Sequence, residues 1–224
     1  MRVVAFPLAR QAGTVGYILG PGDEVAASLR QAGYDVHSIA DEGLTAAALR
    51  PFGTVVTGVR AFNTKEKLRL AHSALMAYVE AGGTLVVQYN TNNRLAPLAT
   101  PLGPYPFDIG SERVTDENAA VTFSMPTHRL LTWPNRIAAH DFDGGGQERG
   151  LYFAKSWDPR YETVLSMHDA GEGPLGGGLL LCHYGKGVFV YTGLSFFRQL
   201  PAGVTGAFRL FANLIAAGQL QHAP

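Results

Sequence analysis

Two strand-type apolar runs bracketing a helix leave this chain few folds to adopt. Gly53 to Val59, GTVVTGV, reads as a strand buried on both faces. Lys65 to Glu80 follows as a long helix, with Leu68, Ala71, Leu75, Tyr78 and Val79 at helical spacing. Ala81-Gly82-Gly83 stops it, and Leu85 to Tyr89 is a second buried-type strand. Strand, helix and strand in this order require a right-handed crossover, which makes the strands parallel neighbours in a sheet covered on both faces.

The same alternation extends upstream. Arg2 to Phe6 is a strand candidate closed by Pro7, and Val15 to Leu19 is another. Gly20-Pro21-Gly22-Asp23 then leads into a helix from Glu24 to about Ala32, with Asp23 as the expected N-cap. Asp35 to Ile39 is the next strand, and Leu44 to Leu49 a short helix. The expected fold class is α/β, a three-layer sandwich on a mostly parallel sheet.

Beyond Tyr89 the pattern changes. Asn90 to Gly150 is rich in Pro, Gly, Asn and Asp, yet carries apolar residues throughout. It reads as a β-rich insertion, at about residues 94–150, within a single domain spanning 1–224. Leu151 to Ala154 and Thr163 to Met167 read as strands, and GLLLCHY pairs with GVFVYTGL as a hairpin across Tyr184-Gly185-Lys186-Gly187. A last helix, about Val204 to Ala217, turns Phe208, Phe211, Leu214 and Ile215 inward.

Composition removes several function classes. The 18 basic and 18 acidic residues form no long run, so the basic face of a nucleic-acid binder is not expected. One cysteine, Cys182, cannot form an internal disulfide. The apolar run VVAFPLA near Met1 is short for a signal-peptide core and far too short to span a membrane. A soluble chain, cytoplasmic by default, with no nucleic-acid or membrane partner is the expectation.

In open α/β sheets, ligands bind beyond the carboxyl ends of the strands. Gly20 to Asp23, Val59 to Asn63 and Tyr89 to Asn93 are those ends here. GPGDEV lacks the third glycine of a dinucleotide fingerprint and the lysine of a P-loop, and its two acids would repel a phosphate. A glycine turn with an N-cap is the favoured reading. Arg60 and Asn63 would project from a strand end, where Arg60 suits a carboxylate or a sugar hydroxyl. Tyr89, Asn90 and Asn92 offer the donors and acceptors that neutral hydroxylated ligands use, or else build a turn from asparagines. Glu148 reads as a structural ion-pair member or a pocket rim. Trp157 and Tyr161 could form a stacking platform, though Asp158-Pro159 is also an ordinary turn. His140, Asp141 and Asp143 are a poor metal set, since no second ligand pair stands at metal spacing. No metal and no cofactor is expected. Cys182 and His183 adjoin on a strand and face opposite ways, so they cannot pair as nucleophile and base. Ser195 and His168 are the weak catalytic candidates.

Long strings of the chain, among them YILGPGDEV, VVTGVRAFNT, YVEAGGTLVVQYNTN, QERGLYF, WDPRYETVLSMHD and YGKGVFVYTGLSFFRQLPAGVTGAFRLFANL, resemble a class I glutamine amidotransferase-like domain. Such domains occur at the C-terminus of bacterial LmbE-like (PIG-L family) proteins. The resemblance implies a flavodoxin-like sheet with a nucleophile elbow at Tyr89-Asn90, related to trehalose-utilisation and β-galactosidase-trimerisation domains. The elbow cysteine is absent, and so is the HPDD zinc motif of the N-terminal deacetylase domain. What it implies is a non-catalytic accessory domain of an LmbE-like N-deacetylase system, binding a saccharide-type ligand or a partner deacetylase domain or protein. The alternative is a hydrolase of esters or amides, with Ser195 or an activated water as attacker. Homo-oligomer formation stays open.

Overall fold

A computed structural model of the chain describes residues 5–95 and 97–220. The first half contains β1 (Thr14–Ile18), α1 (Val25–Gln31), β2 (Asp35–Ser38), α2 (Ala46–Leu49), β3 (Thr54–Thr57), α3 (Ala61–Thr64), α4 (Glu66–Leu70), α5 (His72–Glu80) and β4 (Thr84–Gln88). An irregular excursion follows, with β5 (Phe107–Ile109), β6 (Arg113–Val114), β7 (Val121–Phe123), α6 (Arg129–Thr132), β8 (Gly150–Leu151), β9 (Ala154–Trp157), β10 (Glu162–Thr163) and β11 (Leu165–Met167). The chain then returns through β12 (Leu179–Tyr184), β13 (Gly187–Thr192), α7 (Phe196–Gln199) and α8 (Thr205–Ile215).

The central sheet has the order β10-β12-β13-β4-β3-β1-β2. Within it β2, β1, β3, β4 and β13 run parallel, and β12 opposes both of its neighbours. The parallel part has the 2-1-3-4-5 order of flavodoxin-like sheets. Successive residues face opposite layers. Val55, Leu85, Val87, Phe189 and Tyr191 pack with Phe62, Leu68, Leu75 and Val79 on one side. Tyr17, Val56, Val86, Val188 and Val190 pack with Val25, Leu29, Phe208 and Phe211 on the other. Each such buried side chain contributes about 1.5–3 kcal/mol, which explains why these strands read as unbroken apolar runs.

Three local expectations change. The strand expected over Arg2 to Phe6 falls largely outside the described residues, and Ala5 and Phe6 have no regular structure. The expected long helix from Lys65 to Glu80 is two helices, because the Ala71 N–H is shared between the carbonyls of Lys67 and Leu68, a tightened turn. The insertion builds three small antiparallel pairs, β5–β9, β6–β8 and β7–β11. Each joins a strand of 94–150 to one at 150–167, so the excursion runs past residue 150 and touches the central sheet at β10 before the chain returns through β12.

The carboxyl ends of β1, β3 and β4 are tied by one buried polar chain. The Gln88 amide donates to the Tyr17 hydroxyl (2.8 Å), which donates to Asp23 (2.6 Å). Asp23 also accepts from the Val25 N–H (3.0 Å) and from the N–H groups of Gly20 and Val59. Asp23 is therefore not the expected N-cap, a position that Glu24 takes without a side-chain cap; its carboxylate instead fastens the β1–α1 loop to the β3–α3 loop. Burial raises the Asp23 carboxyl above its ordinary range, against the pull of these donors, and holds Tyr17 as a neutral phenol. The approach is possible only because a glycine lies beneath it. A Cβ on Gly58 would stand 1.9 Å from the Asp23 Oδ2 and 2.5 Å from the Gly20 nitrogen. Gly58→Ala is expected to lower stability by at least about 2 kcal/mol in urea unfolding, since the contact is with backbone and a tethered carboxylate.

Candidate functional site

Four parallel strands end on one edge of the sheet, and β13 adds a loop that the hairpin reading does not announce. Its exit, Gly193 to Ser195, lies next to that of β4, because Thr192 pairs with Gln88. Arg60 leaves β3 in the left-handed conformation (φ 56°) and donates its N–H to the Tyr89 carbonyl (2.8 Å). The expected elbow is thereby corrected. Neither Tyr89 nor Asn90 has a positive φ, and no helix lies between β4 and β5 among the described residues. The left-handed turn between strand and helix is instead at Arg60, after β3.

The asparagines expected to contact a ligand are loop braces instead. Asn90 is fully buried, accepts from the Phe62 N–H (3.0 Å) and donates to the Gln88 carbonyl (3.0 Å). Asn63 binds both backbone groups of Thr91 at 2.8 Å. Asn92 donates to the Ile109 carbonyl (3.3 Å) and accepts from the Leu98 N–H (3.0 Å). An amide matches a peptide's donor and acceptor together, and here the backbone has taken both.

Arg60, Tyr89 and Glu148, by contrast, come together. The Tyr89 ring stacks on Tyr152 (centroids 5.6 Å, planes 13° apart) and tilts against Phe197 at 5.2 Å. The Glu148 side chain is 3% exposed and lies between two guanidinium groups, Arg113 at 2.9 Å and Arg198 at 3.0 Å. Arg198 also donates to the Gln147 side chain. Burial pushes the Tyr89 phenol above its ordinary pKa, Arg60 and Arg198 pull it back, and Tyr152 and Glu148 reinforce the rise. The non-glycine residues with positive φ among the described residues are Arg60, Gln147 (71°) and Tyr152 (54°). All three belong to this cluster. Each costs on the order of 1 kcal/mol or more, and such strain gathers at sites where geometry is fixed for use.

Trp157 and Tyr161 do not join it. Trp157 pairs with Phe107 in β9, and the Tyr161 hydroxyl donates to the Tyr105 carbonyl (2.8 Å) while its ring packs on Phe107 and Phe189. They form an aromatic layer beneath the antiparallel edge. Ser195 and His168 are apart as well. The Ser195 hydroxyl is buried with no hydrogen-bond partner among the described residues. It faces a cavity of about 40 Å³ lined by Asp141, Phe142, Arg149, Leu194 and Leu210, with no histidine among the described lining. His168 is exposed and its ring bonds the Asp169 carbonyl. Cys182 is buried in β12 and its thiol is pushed up to about 12 by burial. The Asp141 carboxylate is held by Arg209 (2.9 Å) and the Ala138 N–H (2.9 Å), which leaves it no metal-ligand role beside His140.

Sequence reasoning missed Arg113, Gln147, Tyr152, Phe197 and Arg198. The usable signal was FFRQ, a few residues after β13, had that strand been recognised as parallel to β4. Two wider grooves lie outside the cluster. One, about 560 Å³, runs along Leu98 to Ile109 beside Asn92 and His72; the other, about 690 Å³, lies between α2 and α5. Their walls are mostly small, proline and apolar residues, without convergent charge or strain.

No protein-family model matches the chain, and no curated protein matches it. Among solved structures it is similar to a GMP synthase component from Thermoplasma acidophilum, with 9% identity and a TM-score of 0.55, covering 93% of this chain and 95% of that one. A ThuA-like protein from Bacteroides uniformis is similar at 13% identity and a TM-score of 0.53, with 93% of each chain covered. The cold-adapted β-galactosidase from a Rahnella species is similar at 16% identity and a TM-score of 0.52, covering 93% of this chain but only 31% of that enzyme. The likeness agrees with the fold, a flavodoxin-like three-layer α/β sandwich. No helix of the described residues is long and apolar enough to cross a membrane.

Glu148→Ala is expected to cost about 2 kcal/mol in urea unfolding, because it leaves Arg113 and Arg198 facing each other without a counter-charge while both keep part of their hydration. Cys182 should resist a thiol reagent at pH 8 until the chain unfolds, since burial both hides the thiol and pushes it toward its protonated form.

Proposed function

We propose that this chain is a non-catalytic, amidotransferase-like binding domain whose saccharide-type ligand occupies the Tyr89 cluster. One observation carries the reading: the strained backbones of Arg60, Gln147 and Tyr152 meet around one stacked tyrosine pair beside a doubly clamped glutamate. The position is the carboxyl edge of a parallel sheet, where this fold class binds ligands. A guanidinium without a side-chain partner among the described residues, beside a stacked tyrosine pair, suits a hydroxylated ring, whose oxygens accept from it. The non-catalytic part is supported by what occupies the reactive positions. A raised phenol stands after β4, the thiol is a core group, and the Ser195 hydroxyl has no base beside it. The resemblance to LmbE-associated domains makes a deacetylase domain or protein the partner to pair it with.

The test is calorimetry of the chain against neutral, amino and acidic sugars, run beside hydrolysis assays on acyl and N-acetyl substrates. Saturable binding that weakens at least about tenfold in Tyr89→Ala, with no turnover, is expected. Turnover that disappears in Ser195→Ala would instead establish the hydrolase, and binding indifferent to Tyr89→Ala would move the site elsewhere.

A further inference from the structure

The charges of the cluster do not cancel. Arg60, Arg113 and Arg198 bring three guanidinium groups, and Glu148 is the acid paired among them. Both of its oxygens are taken, one by Arg113 and one by Arg198. Arg60 has no hydrogen-bond or ion-pair partner for its side chain among the described residues, and it is exposed. Its backbone is nevertheless fixed. The N–H is held by the Tyr89 carbonyl, and its carbonyl accepts from Asn63 and Thr64 at the start of α3. A long cation is thus mounted on a rigid, left-handed residue at the rim of the stacked tyrosines, with its charge uncompensated. Strained backbone of this kind gathers where a side chain is held for use, and a planar guanidinium is suited to clamping a ligand.

We infer that the ligand of this site carries an oxyanion, a carboxylate or a phosphate on a sugar ring, and that Arg60 binds it. The inference rests on the binding role proposed above and narrows its substrate class. A guanidinium presents two parallel N–H donors to two oxygens of such a group, and the bond strengthens where neighbouring aromatic rings exclude water. Glu148 has a positioning role: by neutralising Arg113 and Arg198 it keeps them folded against the cluster and leaves Arg60 as the free clamp.

The experiment is calorimetric titration of the chain with glucuronate, glucose 6-phosphate and glucose, at two salt concentrations. At least one acidic sugar should bind about tenfold or more tightly than glucose, a difference of about 1.4 kcal/mol, and should weaken with salt. The preference between the two acidic sugars identifies the oxyanion. Arg60→Ala should abolish the preference. Arg60→Gly, which accepts the left-handed backbone without strain and so keeps the loop, should abolish it too. Arg50→Ala, a charge loss in the groove between α2 and α5, should leave it unchanged. Glucose binding as tightly as both acidic sugars, still dependent on Tyr89, would overturn the oxyanion while leaving the binding role intact. An acidic preference that survives both Arg60 variants would overturn the clamp. No binding of any of the three would overturn the inference together with the reading beneath it.

Discussion

The carboxylate of Asp23 is the constraint on which the functional edge depends. It gathers donors from β1, from its own loop and from the loop after β3, and through Tyr17 it reaches Gln88 at the end of β4. A charge this far from water costs free energy, and the raised carboxyl pKa is the sign of that cost. Stability lost there is recovered as position. Three strand ends are set in register, and the Arg60 turn is held close enough to Tyr89 to bond its carbonyl. The glycines at 20 and 58 are the steric condition for this arrangement, because side chains at either position would fill the space the two loops share.

From that fixed edge the cluster divides its labour. Asn63, Asn90 and Asn92 commit their amides to the backbone, which allows an irregular segment after β4 to stay ordered without a helix. Glu148 is occupied by two arginines. Of the charged groups in the cluster, the Arg60 guanidinium is then the one without a side-chain partner among the described residues. The strained turn lies after β3, one strand away from the elbow expected after β4, and it carries a permanent cation.

How much of this could be read from the residues follows their periodicity. The runs TVVT and TLVVQ announced buried parallel strands, since burial on both faces erases alternation, whereas GVFVYT announced only its hairpin with β12 and not its parallel pairing with β4. Arg60, Tyr89 and Glu148 were reachable because strand ends locate ligand sites and because an acid in a glycine-rich loop invites a partner. Arg198 and Tyr152 were not, since their place depends on pairings across the sheet that no local pattern encodes. The asparagines misled for a physical reason. A side-chain amide and a peptide group have the same donors and acceptors, so a residue suited to bind a sugar is equally suited to bind the chain itself. Trp157 and Tyr161 misled because an aromatic in a loop rich in polar residues can still belong to a core on the other side of the sheet.

The last parallel strand comes from a hairpin rather than from a crossover helix, and this has a consequence for how the molecule assembles. Val188 meets Thr84 across about a hundred residues of chain, so the loop entropy of that pairing is settled late. Until β13 arrives, β4 is an open edge of Leu and Val, the type of strand that pairs with whatever extended segment it meets. During synthesis the half-made sheet therefore passes through an interval in which its most apolar strand is unprotected. Arg198 and Phe197 are not in place before that interval ends. The cluster is thus coupled to the completion of the sheet: a chain in which Arg198 and Phe197 have reached Tyr89 is one whose vulnerable edge has already been sealed.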